Sequence, residues 1–448
     1  MSGADWAGRR LHFVGIGGAG MSGLALIAHR LGASVTGSDH NDTRYLVELR
    51  ALGLEPAVGP YAAEHVPDGA EIVYSTAVGP ENPERQAGRA SGVPELHRSE
   101  LLAQIAALRR CLAVTGTHGK TTTTAMIIHA LQGCGLDPAY VVGGELRSAA
   151  ANAGWGSGEW IVIEADESDR SLLHLDPEIA LLTNAELDHH ATYASQQDLE
   201  ETFREFMGRA QADVVWDRPQ LVSLCTAPRV EPYDVRDAVF SPEGARFAWR
   251  DLEVVLAVPG EHNAVNAAGA LTACALAGAD PARAAAALST FQGARRRLER
   301  LGETAAGVPV YDDYAHHPTE VAAAIAAART LAARRVVAVF QPHLFSRTKA
   351  LAQEFGRALA AADVVGVLDV YAARERAEDF PGIDGHLVAV AAADAGHGRT
   401  VAWMPSRTDA RGWLDQVLRP GDLCLVMGAG NVDALGRELV SQPQPSLL

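Results

Sequence analysis

The stretch "AVTGTHGKTTTTAMI", Ala113–Ile127, combines an apolar strand, a short glycine turn and a threonine-rich helix start. Gly116 and Gly119 are followed by Lys120 and Thr121. Such a loop offers backbone N–H groups to phosphate oxygens, an ammonium to the β- and γ-phosphates, and a hydroxyl to Mg²⁺. The full P-loop motif requires a further glycine two residues before Gly116, where this chain has valine. The sequence therefore predicts a shortened phosphate loop, with a threonine-rich helix cap as the alternative.

The lysine of this loop is unusual because lysine is rare in the chain. Of 38 lysines and arginines only two are lysines, Lys120 and Lys349. Background usage does not account for one of the two lying in the loop, so we predict that Lys120 is catalytic. The predicted ATP contacts of the loop are Thr115, Gly116, Thr117, His118, Gly119, Lys120, Thr121 and Thr122.

A second glycine loop lies near the N-terminus, in "FVGIGGAGMSG", Phe13–Gly23. Gly15, Gly17 and Gly20 fit the G-x-G-x-x-G motif between a predicted strand and a predicted helix, and Asp39 follows about 20 residues on. This pattern predicts a βαβ unit whose turn lets backbone N–H groups approach a diphosphate. Taken alone, the motif also fits a nicotinamide dinucleotide site or a tight turn without a ligand.

The composition limits the class of protein. Hydrophobic residues make up 48% and charged residues 21% of the 448-residue chain, as in soluble globular proteins. No apolar run approaches the roughly 20 residues that span a bilayer, and "MSGADWAGRR" lacks the apolar core of a signal peptide. A net charge of -17 disfavours nucleic acid and anionic membranes as partners. The five cysteines form no C-x-x-C pair, so we expect a reducing cytoplasm and no disulfide framework.

Strand patterns alternate with helix patterns along the chain, which predicts an α/β fold built on parallel sheets. Boundaries near Leu108 and Arg297 divide it into three expected domains, 1–108, 109–296 and 297–448. The first domain begins with the βαβ unit, and the second begins with the phosphate loop. The basic "GARRRLERLG" before the third domain has the character of a hinge.

Polar residues follow the predicted strands of the second domain. One strand runs into "IVIEADESD" and the next into "TNAELDHH". Ligands bind beyond the carboxyl ends of parallel strands, and a few carboxylates with phosphate oxygens suit Mg²⁺. The candidate residues are Glu164, Asp166, Glu167, Asp169, Asp188, His189 and His190. An acidic solvated turn is the alternative for the first cluster.

The third domain repeats this pattern in "DDYAHHPTE" and "FQPHLFSRTK". The candidate residues after its strands are Asp312, Asp313, His316, His317, His343 and Arg347. The two histidines before Pro318 have an alternative role as caps of the following helix. The run Arg295–Arg297 is either a solvated face or a phosphate contact near the hinge.

Six motifs, in order, resemble those of the Mur ligases: "GIGGAGMSGLA", "GTHGKTTTT", "EADESD", "GEHNAVNA", "DDYAHHPTEV" and "FQPHLFSRT". The resemblance extends from about Leu11 to Gly436. It implies a Rossmann-like N-terminal domain for a UDP-sugar, a central P-loop ATPase-type domain, and a C-terminal Rossmann-like domain closing over ATP and an amino acid. The implied chemistry uses ATP and Mg²⁺.

The motifs are most similar to those of the family members that use UDP-N-acetylmuramate and L-alanine. In that reaction ATP phosphorylates the lactyl carboxylate of the sugar, and the amine of L-alanine attacks the acyl phosphate. The resemblance implies a cytoplasmic monomer or homodimer in peptidoglycan precursor synthesis.

The resemblance also implies roles for individual residues. The UDP-sugar contacts would be Gly15, Gly17, Gly18, Ala19, Gly20, Met21, Ser22, Ser38, Asp39, Ser75 and Thr76. Further ATP contacts would be Asn263, Asn266, Arg296, Arg297 and Asp312. Thr121 and Glu164 would bind Mg²⁺, and His189 would contact a second metal or the substrate. His343 and Arg347 would address the amino acid, with the guanidinium pairing its carboxylate.

The chain departs from the family pattern in several places. Met-Asp usually follows the Asp-His pair, whereas this chain has His190 and Ala191, so a carboxylate near the metals is missing. The carbamylated lysine of related ligases has no counterpart, since no lysine lies between Lys120 and Lys349. Leu298 replaces an aromatic residue and Ala315 a glycine, changes that we expect to be tolerated.

Three rival functions fit parts of the sequence. A recycling ligase would join the same UDP-sugar to a tripeptide, but its first glycine loop usually differs from "GIGGAGMSG". An NAD-dependent oxidoreductase would use the first loop but leaves Lys120 and the third domain without a role. A regulatory module without turnover is opposed by the acid and histidine clusters at the strand ends.

Overall fold

The computed structural model describes residues 6–144, 151–189, 192–331 and 334–440. These residues group into two compact units, each described here by itself. Unit 1 comprises the described parts of Met1–Glu186, Gln196–Asp234 and Asn266–Gln292, and unit 2 those of Leu187–Ser195, Val235–Val265 and Gly293–Leu448. No helix in the described ranges is both long and apolar enough to cross a membrane. All five cysteines are free thiols.

The first sheet of unit 1 is parallel. Its strands are β1 (Arg10–Val14), β2 (Ser34–Asp39), β3 (Ala57–Val58), β4 (Glu71–Tyr74) and β5 (Glu95–His97). Its helices are α1 (Ala19–Arg30), α2 (Tyr45–Ala51), α3 (Pro83–Ala90) and α4 (Arg98–Ala106). The order β3-β2-β1-β4-β5 places β1 where the strand order reverses. The loop after β1 therefore lies at a switch point, where open parallel sheets bind ligands.

The second sheet of unit 1 contains the loop after β6. Its strands are β6 (Arg110–Thr115), β7 (Ala139–Val141), β8 (Ala153–Gly154), β9 (Trp160–Glu164), β10 (Ile179–Leu182), β11 (Ala212–Trp216) and β12 (Arg229–Tyr233). Its helices are α5 (Lys120–Gly133), α6 (Gln196–Met207) and α7 (Pro219–Val222), followed along the chain by α8 (Glu261–Leu276) and α9 (Pro281–Leu288). The order is β12-β11-β10-β6-β9-β7-β8, and only β7 and β8 pair antiparallel.

Unit 2 begins with a small antiparallel sheet of β13 (Arg236–Ser241), β14 (Gly244–Trp249) and β15 (Leu252–Leu256). The prediction of parallel sheets throughout the chain is wrong here. Ser241 pairs with Gly244 and Trp249 with Leu252, so each turn is too short for the crossover that parallel strands require.

The large sheet of unit 2 has the order β16-β17-β21-β18-β19-β20, antiparallel only between β16 and β17. Its strands are β16 (Glu299–Glu303), β17 (Pro309–Asp313), β18 (Arg335–Phe340), β19 (Val364–Val367), β20 (Thr400–Trp403) and β21 (Asp422–Met427). Its helices are α10 (Pro318–Thr330), α11 (Phe345–Leu359), α12 (Gly385–Ala395), α13 (Arg407–Val417) and α14 (Asp433–Val440). Side chains of β18 alternate between two cores: Val336 and Phe340 join one, and Val337 and Val339 join the other. Because successive side chains of a strand point to opposite faces, apolar residues of β18 are buried on both faces of the sheet.

Candidate functional site

The loop between β6 and α5 has a backbone that requires glycine. Gly116 has φ 128° and Gly119 has φ 81°. A Cβ on Gly119 would lie 2.8 Å from Asn266 Oδ1, and a Cβ on Gly116 would collide with the side chain of Thr183. Left-handed backbone and close neighbours together exclude larger residues, so the shortened loop is a tightly defined structure.

Residues after β10 hold the loop in place. The Thr117 hydroxyl donates to the Glu186 carbonyl at 2.7 Å and accepts from the Glu186 N–H at 3.0 Å. The His118 N–H donates to Asn184 Oδ1 at 2.9 Å, and the Thr183 hydroxyl donates to the His118 carbonyl at 2.6 Å. Because β10 neighbours β6, its terminal residues are placed to shape the loop.

The N-terminus of α5 is suited to an anion. An α-helix leaves its first N–H groups without intrahelical partners, and its dipole favours negative charge at that end. Gly119 is the N-cap, and no side chain in the described structure caps this helix. These donors and the adjacent Lys120 fit the phosphates of a nucleotide.

Lys120 is held inside the loop by carbonyl and carboxylate oxygens. Its ammonium donates to the carbonyls of Gly116 at 2.6 Å and Thr117 at 3.1 Å. Nζ also lies 2.8 Å from Oε2 of Glu167, whose side chain is fully buried. Burial lowers the pKa of Lys120, but the carboxylates of Glu167 and Asp166 outweigh it and raise the pKa above its usual value. The ammonium is therefore charged at neutral pH.

Thr121 and Glu164 form the oxygen pair predicted for Mg²⁺. The Thr121 hydroxyl donates to Glu164 Oε1 at 2.9 Å, and the Gly143 N–H donates to Glu164 Oε2 at 2.8 Å. They meet because β6 pairs with β9, in a register that sets Val114 opposite Glu164. A hydroxyl and a carboxylate beside a phosphate site fit a magnesium ion.

The other acids of this cluster have a different partner. Arg98 Nη2 lies 2.8 Å from Asp169 Oδ2 and 3.2 Å from Asp166 Oδ2. Burial raises the pKa of Asp166, but Arg98 and Lys120 outweigh it and hold the pKa below its usual value. Sequence reasoning missed Arg98, whose position at the start of α4 carries no motif.

Asp39 organises the first glycine loop. The Gly17 N–H donates to Asp39 Oδ2 at 2.9 Å, and the Asn41 N–H donates to Asp39 Oδ1 at 3.0 Å. The Thr43 hydroxyl donates to the Gly17 carbonyl at 2.8 Å. A Cβ on Gly17 would lie 2.7 Å from Thr43 Oγ1. Both carboxylate oxygens thus bind backbone, whereas the acid of a nicotinamide site hydrogen-bonds a ribose.

Ser38 connects the end of β2 to a buried carboxylate. Its hydroxyl donates to Glu84 Oε2 at 2.5 Å. His12 Nε2 and His65 Nδ1 lie 3.2 and 2.8 Å from the same carboxylate. Burial raises the pKa of Glu84, but hydrogen bonds from His12, Ser38 and His65 outweigh it and lower the pKa. Glu84 was missed because its helix, α3, is mostly polar in sequence.

The remaining residues predicted for the UDP-sugar gather at the same edge of the first sheet. Gly18 is the N-cap of α1, and Ala19, Gly20, Met21 and Ser22 form its first turn. Ser75 and Thr76 follow β4, which pairs with β1. The loop after β1 and the end of β4 are therefore adjacent.

In unit 2, the Arg296 guanidinium donates hydrogen bonds to two backbone carbonyls and to one buried carboxylate. Its Nε lies 3.2 Å from Asp312 Oδ2, and its Nη1 and Nη2 donate to the carbonyls of Gly430 at 3.2 Å and Gly428 at 2.6 Å. Burial raises the pKa of Asp312 to about 7, against the opposing effect of Arg296. Arg296 thus ties the end of β17 to the loop after β21.

The neighbouring Arg297 has a different environment. Its Nη1 lies 3.3 Å from Glu320 Oε1, and its guanidinium lies 5.3 Å from the Tyr314 ring centroid. Arg296 and Leu298 have φ of 57° and 48°. The basic segment therefore contains a left-handed turn leading into β16, and its action as a hinge stays a prediction.

His317 caps α10, as the alternative interpretation of the sequence stated. The Thr319 N–H lies 3.4 Å from His317 Nδ1, and Glu320 completes a capping box. His316 points elsewhere: its Nδ1 lies 2.9 Å from the Tyr314 carbonyl, and its ring centroid lies 6.1 Å from that of His343. Burial lowers the pKa of His316 to about 4.

Arg347 and His343 meet a carboxylate in unit 2. Arg347 Nε and Nη2 donate to the two oxygens of Asp188 at 2.8 and 2.9 Å. Arg347 Nη1 donates to His343 Nδ1 at 3.2 Å. Burial, with nearby His316 and Arg347, lowers the pKa of His343 to about 3, so this imidazole is neutral.

His189 adjoins this cluster in an unusual conformation. It has φ 54°, and its N–H donates to Asp188 Oδ1 at 2.7 Å. Its Nε2 lies 3.7 Å from Asp188 Oδ2. His190 and Ala191, where the chain departs from the family pattern, lie outside the described residues.

The two asparagines of α8 have different surroundings. Asn266 lies against Gly119 of the phosphate loop in unit 1. Asn263, in unit 2, donates from Nδ2 to the Pro259 carbonyl at 2.7 Å. Both side chains are buried.

Three family models match the chain in sequence order. They are the Mur ligase family catalytic domain over residues 10–110, the Mur ligase middle domain over 114–274, and the Mur ligase glutamate ligase domain over 296–430. The α/β architecture in three domains, expected from sequence, is confirmed.

Full-length relatives agree with these models. The UDP-N-acetylmuramate–L-alanine ligase of Streptomyces griseus is 43% identical, covering 96% of both chains. The structure of UDP-N-acetylmuramate-alanine ligase MurC from Thermotoga maritima superposes with a TM-score of 0.82 at 28% identity, covering 96% of this chain and 98% of that one. The murein peptide ligase of Psychrobacter arcticus, 23% identical with a TM-score of 0.71, shares the fold. Because the likeness extends over nearly the whole sequence and includes each motif in order, the chain belongs to the Mur ligase family.

Proposed function

We propose that this chain is an ATP-dependent ligase that joins L-alanine to the lactyl carboxylate of UDP-N-acetylmuramate. The observation that carries the proposal is the loop at the uncapped start of α5, where Lys120 is charged and Thr121 contacts Glu164. The relatives from Streptomyces griseus and Thermotoga maritima bear the name of this activity and are matched over nearly their full length. We expect the products to be ADP, phosphate and UDP-N-acetylmuramoyl-L-alanine.

The loop is suited to activating a carboxylate. A carboxylate is a poor electrophile at neutral pH, so it must gain a phosphoryl leaving group before an amine attacks it. Transferring that group brings two anions together, and Lys120 with the α5 N–H groups offsets their repulsion. Mg²⁺, held by Thr121 and Glu164, would neutralise charge on the phosphate oxygens. The amine of L-alanine then forms the amide bond and phosphate leaves.

The first loop is proposed to bind the diphosphate of the UDP-sugar. Its position after β1 at the switch point of the first sheet supports this. Asp39 accepts the Gly17 N–H, an arrangement that occupies the acid and disfavours the ribose contact of a nicotinamide site. Two nucleotides therefore require two glycine loops, and only ATP is consumed.

The cluster around Arg347 is proposed to receive the amino acid. Nε and Nη2 of Arg347 bind Asp188, and Nη1 lies beside the neutral imidazole of His343, where it could donate a charge-assisted hydrogen bond to the amino acid's carboxylate. We propose His189 as a further metal or substrate contact. Asn263, Asn266, Arg297 and Asp312 remain proposed ATP contacts; the hydrogen bonds of Arg296 favour a supporting role for that residue.

We retain the domain limits 1–108, 109–296 and 297–448 as a proposal, which the three matched ranges support. We further propose that the enzyme acts in the cytoplasm, as a monomer or homodimer. Free cysteines and nucleotide substrates support that location.

Phosphate release in mixtures that each lack one component tests the function. We expect release only when ATP, Mg²⁺, UDP-N-acetylmuramate and L-alanine are all present. Release without the sugar would contradict the proposal. Replacing L-alanine by the tripeptide L-alanyl-γ-D-glutamyl-meso-diaminopimelate separates the recycling ligase from the proposed enzyme, since a preference for the tripeptide would reassign the acceptor.

A further inference from the structure

Unit 2 contains a buried ion pair that the proposed chemistry does not use directly. The Asp188 and Arg347 side chains are 2% and 3% exposed, and the carboxylate accepts from both Nε and Nη2. This side-on fork leaves Nη1 of Arg347 beside His343, where it lies 3.2 Å from the ring Nδ1 and donates a long hydrogen bond of 3.3 Å to the main-chain carbonyl. The same carboxylate accepts the N–H of His189. One acid thus contacts two residues assigned to the substrates.

Stability alone is a weak explanation for this pair. The desolvation of two buried charges offsets most of their attraction, so such pairs contribute little net stability. Unit 2 has a second bidentate pair, in which Arg335 Nε and Nη2 lie 2.9 and 2.7 Å from the Asp422 oxygens. Asp422 and Arg335 start β21 and β18, at the sheet edge opposite the one where His343 follows β18. The Asp422 pair therefore has the same bidentate geometry, with a more exposed arginine, at the edge of the sheet away from the acceptor cluster.

We propose that Asp188 is a positioning residue for the acceptor amino acid: it fixes the Arg347 guanidinium so that Nη1 is presented beside His343 to the carboxylate of L-alanine. The inference rests on the proposed function. An arginine side chain has several rotamers, and holding two of its nitrogens removes that freedom before the amino acid arrives. Asp188 also balances the guanidinium charge, which limits competition from other anions for the site.

The hydrogen bonds of Asp188 involve other residues than those of the nucleotide loop. Lys120, Thr121 and Glu164 belong to unit 1 and make none of the hydrogen bonds described for Asp188. A loss of Asp188 should therefore change the response to amino acid far more than the response to ATP or the UDP-sugar.

The test compares Asp188→Asn with Asp422→Asn in the full-length enzyme, measuring KM for each substrate and kcat by phosphate release. We expect Asp188→Asn to raise the KM for L-alanine by about 10- to 100-fold, in the range found when a supporting hydrogen-bond partner is removed. The KM values for ATP and UDP-N-acetylmuramate should stay within about twofold. Asp422→Asn should lower the melting temperature and leave the KM for L-alanine unchanged.

The outcomes separate the two proposals. If the wild-type enzyme shows no release that depends on L-alanine, the proposed function fails. If it does, but Asp188→Asn leaves the KM for L-alanine unchanged or raises all three KM values alike, the positioning role fails. If Asp188→Asn does not fold, Asp188→Glu replaces it, because the longer side chain keeps the charge but shifts the carboxylate that holds Arg347. This variant should still raise the KM for L-alanine selectively. An unchanged KM would reject the inference.

Discussion

Lys120 Nζ lies 2.8 Å from Glu167 Oε2, and the Glu167 side chain is fully buried. The carboxylates near Lys120 raise its pKa above the usual value despite its burial, so the ammonium is charged before a nucleotide arrives. Its bonds to the Gly116 and Thr117 carbonyls hold it over the loop. In the proposed ATP site, an ammonium fixed in this way would lower the reorganisation required during phosphoryl transfer.

Replacement of this ammonium should abolish the first chemical step. We expect Lys120→Met to reduce kcat for phosphate release by about 100- to 1,000-fold, as when one pre-organised donor to developing charge is lost. Lys349→Met removes the other lysine, which is exposed on α11, and should retain wild-type kcat. Equal activity of the two variants would show that the loop has been misassigned.

Glu164, at the end of β9, should determine the Mg²⁺ concentration that the enzyme requires for activity. We expect Glu164→Gln to raise the Mg²⁺ concentration for half-maximal activity by about tenfold, because an anionic ligand is replaced by a neutral one. Glu159→Gln, with its exposed side chain just before the start of the same strand, should leave that concentration unchanged. Titration of phosphate release with Mg²⁺ at saturating substrates measures both, and a shift shared by the two variants would argue against a metal site at Glu164.

The sequence predicts the parts of the fold that depend on local patterns. Strands such as β9 and β10 are recognisable because covered parallel strands are continuously apolar. Helix α6, Gln196–Met207, is likewise recognisable, because its buried residues Leu199, Phe203 and Phe206 recur at helical spacing. By contrast, α12 has the sequence "GHLVAVAAADA", which is apolar on nearly all sides and has no helical period to detect.

Prediction of the candidate site from the sequence is likewise limited to local patterns. The resemblance to the Mur ligases is confirmed. The residues proposed for the phosphate loop could be named from the sequence because they occupy adjacent positions. Asp188 and Arg347 are separated by 159 residues, and Ser38 and Glu84 by 46. Only the tertiary fold pairs them, so sequence reasoning named Asp188 and Arg347 separately and did not name Glu84.

Asp213 in β11 should make stability depend on pH. Its side chain is fully buried, its Oδ2 accepts the N–H groups of Thr226 and Ala227, and burial raises its pKa to about 6. The folded state therefore keeps a proton that the unfolded chain releases above about pH 4. Stability from this group is present below pH 4 and is lost as the pH rises through 6, by about 3 kcal/mol in total.

The variant Asp213→Asn isolates this effect because it removes the ionisation and keeps the acceptor oxygen. We expect the wild-type melting temperature to fall relative to that of Asp213→Asn between about pH 4 and about pH 6, and the difference to become constant above that range. Thermal unfolding of both proteins in a series of buffers measures the difference. A difference that is the same at every pH would show that Asp213 titrates normally.

Alanine substitutions at two glycines, one at each end of α5, distinguish the effect of backbone strain from an effect on ATP binding. Gly119 has φ 81° and Gly135 has φ 79°, so alanine meets the same left-handed penalty at both, about 1–2 kcal/mol. A Cβ on Gly119 would lie 2.8 Å from Asn266 Oδ1, whereas a Cβ on Gly135 meets nothing within 4 Å. We therefore expect Gly135→Ala to lower the melting temperature and keep wild-type kinetics. Gly119→Ala should lower it further and raise the KM for ATP, and kinetics as normal as those of Gly135→Ala would mean that the loop does not bind ATP.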